Sequence, residues 1–148
     1  MTTNRRRPGL QYQHLAAVKA AAEIAAAEVR GAHKDSLQLV FRPGKVAAGD
    51  FRFDIGTAGS TSLVLQTILP ALMLAPASST VVLEGGTHNP LAPPFEFLEA
   101  AFLPLVNRMG ARVEVTLERR GFAPAGGGRI RAAVTPAQQL RRLDILER

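Results

Sequence analysis

One order of elements occurs twice in this chain and limits what it can fold into: helix, glycine, strand, a turn built on Phe-x-Pro, strand. In the first copy a helix begins near Leu10, Gly31 follows, and Leu37–Phe41 reads as a strand. The turn Phe41-Arg42-Pro43-Gly44 then leads into the strand Phe51–Ile55. The second copy has a helix over Phe95–Met109, then Gly110, a strand at Arg112–Leu117, the turn Phe122-Ala123-Pro124-Ala125-Gly126, and a strand at Ile130–Val134. A further strand–helix–strand precedes the second copy. The full unit is therefore βαβαββ, with two helices packed on one face of a four-stranded sheet. The expected fold class is α+β, with one partial repeat over 1–56 and one near-complete repeat over 57–136. Residues 137–148 begin a truncated following segment, and from Pro136 onward the pattern reads as the start of another helix.

Local chemistry supports each element. Leu15, Val18, Ala22, Ala25 and Val29 step by three and four along one helical stripe, and Gly31 suits the residue after its end. Phe51–Ile55 alternates as a strand, and Gly56–Gly59 breaks it. The helix Ser60–Leu74 is apolar nearly all round, which predicts burial on several sides; Pro70 should kink it or shift its boundary. An incomplete first repeat would leave Leu37–Phe41 and Phe51–Ile55 without sheet partners. That predicts a marginal chain, or a dimer or complementing chain covering the truncated edge.

Composition narrows the function classes. The chain has 148 residues, a net charge of +6 and no Cys, so a disulfide framework, a thiol nucleophile and a Cys-type zinc site are excluded. The longest charge-free stretch, Gly56–Leu83, is interrupted by Gln66, Pro70, Pro76 and Ser78-Ser79-Thr80, so no membrane partner is expected. A basic balance points to an anionic partner, nucleic acid first and nucleotide second.

Single motifs say less. His14, His33 and His88 have no His or carboxylate partner three or four residues on, which speaks against a local metal motif. Ser60 and Ser62 lie in no nucleophile elbow. Gly126-Gly127-Gly128 is a phosphate loop or a flexible hairpin turn. Gly56-Thr57-Ala58-Gly59-Ser60-Thr61 is better placed for an anion, because a helix N-terminus follows it; Ser60 as an ordinary helix cap is the other reading. Gln66, inside an apolar helix, either satisfies a core backbone group or faces a ligand.

The motifs together are more specific. Arg5-x-Arg7-Pro8-Gly9-Leu10 and Gln13-His14-Leu15-x-Ala17-Val18-Lys19-Ala20-Ala21 are followed by Phe41-Arg42-Pro43-Gly44 and Gly49-Asp50-Phe51-Arg52-Phe53. Next come Gly59-Ser60-x-Ser62-Leu63-Val64-Leu65-Gln66-Thr67 and Gly85-Gly86-Thr87-x-Asn89-Pro90-x-Ala92-Pro93-Pro94. Arg120-Gly121-Phe122-x-Pro124-Ala125-Gly126-Gly127-Gly128 completes the series. Their order over Arg5 to Pro136 resembles the RNA 3′-terminal phosphate cyclase family.

The resemblance implies a ligase that uses ATP and a divalent metal (Mg or Mn) to adenylate a catalytic His. The AMP passes to an RNA 3′-phosphate, and the neighbouring 2′-hydroxyl displaces it to leave a 2′,3′-cyclic phosphate. It also implies a cytoplasmic RNA-processing role, with an RNA 3′ end and ATP as partners. By position, Gln66 and Pro94 match adenosine-site residues, the first through its amide and the second as a flat wall against the base. Arg5, Gln13 and His14 match positions near the phosphates and RNA end; Arg120 matches by motif only. The family's nucleophilic His falls beyond residue 148, so no catalytic residue is assigned here and inactivity of this chain alone is expected. His88 stands where the family usually has Asp or Asn, Tyr12 replaces a usual Arg, and Ala123 a usual aromatic. The alternative is a non-catalytic, cyclase-like protein that binds RNA or serves ribosome assembly.

Overall fold

The computed structural model describes residues 8–146. Helix α1 (Tyr12–Ile24) is followed by the short antiparallel strands β1 (Glu28–Arg30) and β2 (Val40–Arg42). Strand β3 (Asp50–Asp54), helix α2 (Thr61–Leu72) and strand β4 (Ser79–Gly85) come next. The third helical stretch has three parts: α3 (Phe95–Phe97), a π-helical turn (Leu98–Phe102) and α4 (Leu103–Arg108). Strands β5 (Arg112–Arg119) and β6 (Gly128–Thr135) close the fold. The larger sheet has the order β3-β4-β6-β5, with β3 and β4 parallel and the other pairs antiparallel. From β3 onward this is the βαβαββ unit, an α+β fold.

Alternation decides which face is covered. Val81 and Leu83 of β4, Ile130, Ala132 and Val134 of β6, and Val113 of β5 point inward. They join Val64, Leu65, Ile68, Leu69 and Leu72 of α2, Ala20 and Ile24 of α1, and Leu98, Leu103 and Val106 of the third helical stretch in one core. Among the described residues no helix is long and apolar enough to cross a membrane.

Four local expectations are corrected. The first helix ends at Ile24, not before Gly31, because Ala26 turns to φ +44° and the carbonyls of Ile24 and Ala25 accept from Ala47 and Gly44. The released Glu28–Arg30 becomes β1 and pairs with β2, which begins at Val40 instead of Leu37. Phe51–Ile55 does not lack a partner: β3 lies in register with β4 from Asp50 opposite Thr80 to Asp54 opposite Glu84. Among the described residues no helix follows Pro136. The Ala137 and Arg141 amides donate instead to the carbonyls of Met73 and Met109, at the ends of α2 and α4. Those bonds satisfy orphan helix carbonyls and hold the segment in an irregular, bent path.

The prolines act differently. Helix α2 continues through exposed Pro70 to Leu72, although Pro70 denies the Gln66 carbonyl its usual donor. Pro104 follows the π turn; its ring would meet the carbonyl of Ala100 in a regular helix, and the wider turn relieves this.

The outer sheet face is polar. There Glu84 accepts from Arg52 (2.6 Å) and Arg129 (2.7 Å), and Glu118 accepts from Arg131 (2.6 Å). Burial alone would raise the Glu84 carboxyl, but Arg129 and Arg52 outweigh it and hold the group below its usual 4.5. A depressed folded-state value gives stability that is present above that usual value and lost as the pH falls through the folded one. Glu84→Gln should therefore lower the urea midpoint at pH 7, with the gap to wild type closing in acid. A gap of equal size at pH 3 and pH 7 would exclude the ion pairs as its cause.

Candidate functional site

A cleft of about 330 Å³ opens where α1, the start of α2 and the Gly85–Pro94 loop meet. Gln13, Gly59, Ser60, Leu63, Asn89 and Pro90 help line it. Ser60 caps α2, its hydroxyl accepting from the Leu63 amide (3.3 Å). Gln13 grips the same residue from α1: its Nε2 donates to the Ser60 carbonyl (3.2 Å), and its Oε1 accepts from the Ser60 amide. The loop reaches over from the other side. Asn89 Nδ2 donates to the Ala58 carbonyl, and the Thr61 amide and hydroxyl both donate to Gly86 O (2.9 Å each). Glycine is required at 86 because a Cβ there would lie within 3.0 Å of Ala58 O and the Asn89 amide.

A second cluster adjoins the loop. Thr87 is buried, and its Oγ1 accepts from the Gly121 amide (2.9 Å) and lies 2.7 Å from His88 Nδ1. His88 Nε2 faces the Glu96 carboxylate at 3.0 and 3.1 Å. The hydrogen bond from His88 is the main reason the Glu96 carboxyl sits below its usual value; the His88 and Arg120 charges act in the same direction. The His88 ring stacks on Phe122, with centroids 5.1 Å apart and planes at 25°. A carboxylate partner eight residues away across a loop leaves no trace at helical spacing, and no local pattern marks Glu96 as a site residue.

The sequence-derived site residues fall as follows. Gln13 lies in the cleft. His14 is on the first turn of α1, where its Nδ1 accepts from the Gln11 amide (2.9 Å). Gln66 is one turn beyond Leu63 on α2, and its side-chain amide makes no hydrogen bond among the described residues. Pro94 is exposed at the start of α3, tied to the loop by the bond from the Phe95 amide to Thr87 O (3.2 Å). Arg120 is exposed near Glu96. Arg5 lies outside the described residues. Asn89 Oδ1 and Ser62 Oγ are buried without a hydrogen-bond partner among the described residues. Among the described residues no three His, Asp or Glu side chains gather as metal ligands.

A mixed sheet of βαβαββ order, with a glycine-bordered cleft at the start of its first internal helix, defines an α+β repeat domain. The family model for RNA 3′-terminal phosphate cyclase matches residues 2–145, and the chain belongs to that family. An RNA 3′-terminal phosphate cyclase of Koribacter versatilis (strain Ellin345) is 55% identical over 145 residues, covering 98% of this chain and 41% of the relative. One from Ectopseudomonas mendocina (strain ymp) is 60% identical over 133 residues, covering 90% of this chain and 39% of the relative. A third, from Ralstonia nicotianae (strain ATCC BAA-1114 / GMI1000), is 55% identical over 145 residues, covering 97% and 42%. The chain thus spans about two fifths of the length of these relatives.

Proposed function

We propose that this chain carries the adenosine-binding part of an ATP-dependent RNA 3′-terminal phosphate cyclase. The observation that carries the reading is the cleft at the α2 N-terminus, with the unpaired Gln66 amide one turn along the same helix face. Gln66 would hydrogen-bond the adenine edge and exposed Pro94 would lie against its plane. An amide with no partner among the described residues keeps its donor and acceptor available for such a ligand. The Gln13 amide is already bonded to Ser60, so its part is to fix the helix cap that borders the nucleotide.

ATP bound here would supply the adenylyl group. The described residues form no three-ligand cage, so a divalent ion would depend on the nucleotide's phosphates for most of its coordination. The resemblance puts the nucleophilic His outside residues 1–148. We propose in addition that a complementing chain or second copy covers the edge of β3 that carries no strand among the described residues. A purely electrostatic RNA-binding role is less well supported, since Arg129 and Arg131 of the outer sheet face are already paired with Glu84 and Glu118.

Calorimetry with ATP and Mg²⁺ tests the reading. Wild type should bind, and Gln66→Ala should weaken binding by about tenfold, as expected for one lost amide hydrogen bond. Wild-type affinity in the variant would remove Gln66 from the site.

A further inference from the structure

Phe122 is a large aromatic left 55% exposed on the hairpin between β5 and β6, yet it is tightly held. One ring face is covered by His88. Its backbone is fixed on both sides: the Phe122 carbonyl accepts from the Gly126 amide (2.7 Å), and the neighbouring Gly121 carbonyl accepts from the Thr87 and His88 amides (2.9 and 3.2 Å). His88 is fixed in turn, with Thr87 at one ring nitrogen and Glu96 at the other. The Thr87 hydroxyl has a second acceptor, the Gly121 carbonyl at 3.3 Å. An exposed aromatic is ordinarily mobile; this one is braced by a chain of contacts that reaches the buried Thr87.

We propose that Phe122, backed by His88, is a stacking platform for a nucleobase. Its open face offers a flat apolar surface already ordered before the ligand arrives, so little rotamer entropy is lost on stacking. The exposed Arg120 guanidinium, two residues away, supplies a cation for the attached phosphate. His88, which backs the ring, shares the Gly85–Pro94 loop with Pro94 and directly precedes Asn89 and Pro90 of the cleft lining. The base belongs either to the RNA end or to the nucleoside triphosphate; the chemistry recognised is the same. The inference rests on the proposed function for the presence of such a ligand and adds a residue that the motif comparison left without a role.

The test uses the 148-residue chain and two fluorescent probes: a 3′-phosphorylated oligoribonucleotide ending in 2-aminopurine, and 2-aminopurine riboside triphosphate. A base stacked on Phe122 is quenched. Phe122→Ala and Phe122→Leu should abolish the quenching and weaken binding by about tenfold, whereas Phe122→Tyr should keep both. The leucine variant retains apolar bulk without a ring, so its result separates stacking from simple burial. Loss with the oligonucleotide alone assigns the platform to the RNA end, and loss with the triphosphate alone assigns it to the nucleotide. Quenching and affinity unchanged in both variants with both probes overturn the proposal. So does a folded wild-type chain that quenches neither probe. ATP calorimetry with Gln66→Ala reads the adenosine site separately, so that reading stands or falls on its own result.

Discussion

Leu83→Ala should lower the unfolding free energy by about 3–4 kcal/mol, within the range for a buried leucine truncated in a close-packed core. Leu83 is fully buried on β4, opposite Phe53 on one neighbouring strand and Ile130 on the other. Its side chain points into the layer between sheet and helices, where rigid backbone on both flanks prevents the space from collapsing. Urea unfolding should show a lower midpoint with an unchanged slope, because the surface exposed on unfolding barely changes. Val82→Ala, on the same strand but facing outward, should cost less than 1 kcal/mol. Equal effects at the two positions would mean that the sheet is not covered on one face only.

Gly121→Ala should be comparably damaging, at about 3 kcal/mol, through overpacking where nothing can move aside. A Cβ at this buried position would come within 3.0 Å of Gly128 N, Gly128 Cα and Gly85 O, all of them backbone atoms. Gly121 also accepts from the Thr87 and His88 amides and donates to Thr87 Oγ1, so any shift is passed to the loop that borders the cleft. Gly127→Ala provides the contrast. Gly127 has φ +70° and open space around its Cα, so alanine there meets only the left-handed backbone penalty of about 1–2 kcal/mol. Thermal unfolding of both variants gives the comparison. A Gly121→Ala protein as stable as Gly127→Ala would show that the β5–β6 hairpin is looser than its contacts imply.

Periodicity carried much of the fold. The strands read at Arg112–Leu117 and Ile130–Val134 match β5 and β6 to within about two residues at each end, and the apolar run after Ser60 marked α2, which is covered on several sides. Where two outcomes had similar local propensity, periodicity failed. The alanine-rich stripe continues past Ile24, but the chain there exchanges helical bonds for bonds from Gly44 and Ala47, both distant in sequence. After Pro136 the same kind of exchange, with Met73 and Met109, replaces a helix with an irregular segment.

The candidate site divides in the same way. The ordered motifs over Arg5 to Pro136 carry the family likeness, and Gln66 stands out in the sequence as an amide needing explanation in an apolar helix. Only the tertiary structure decided that Gln13 clamps Ser60 across 47 residues, that His88 pairs with Glu96 and stacks on Phe122, and that β3 joins the four-stranded sheet. The physical reason is common to these cases. Composition and period fix which face of an element is apolar, a local property. Which distant group meets a given polar atom depends on how whole elements pack, and no window of sequence contains that information.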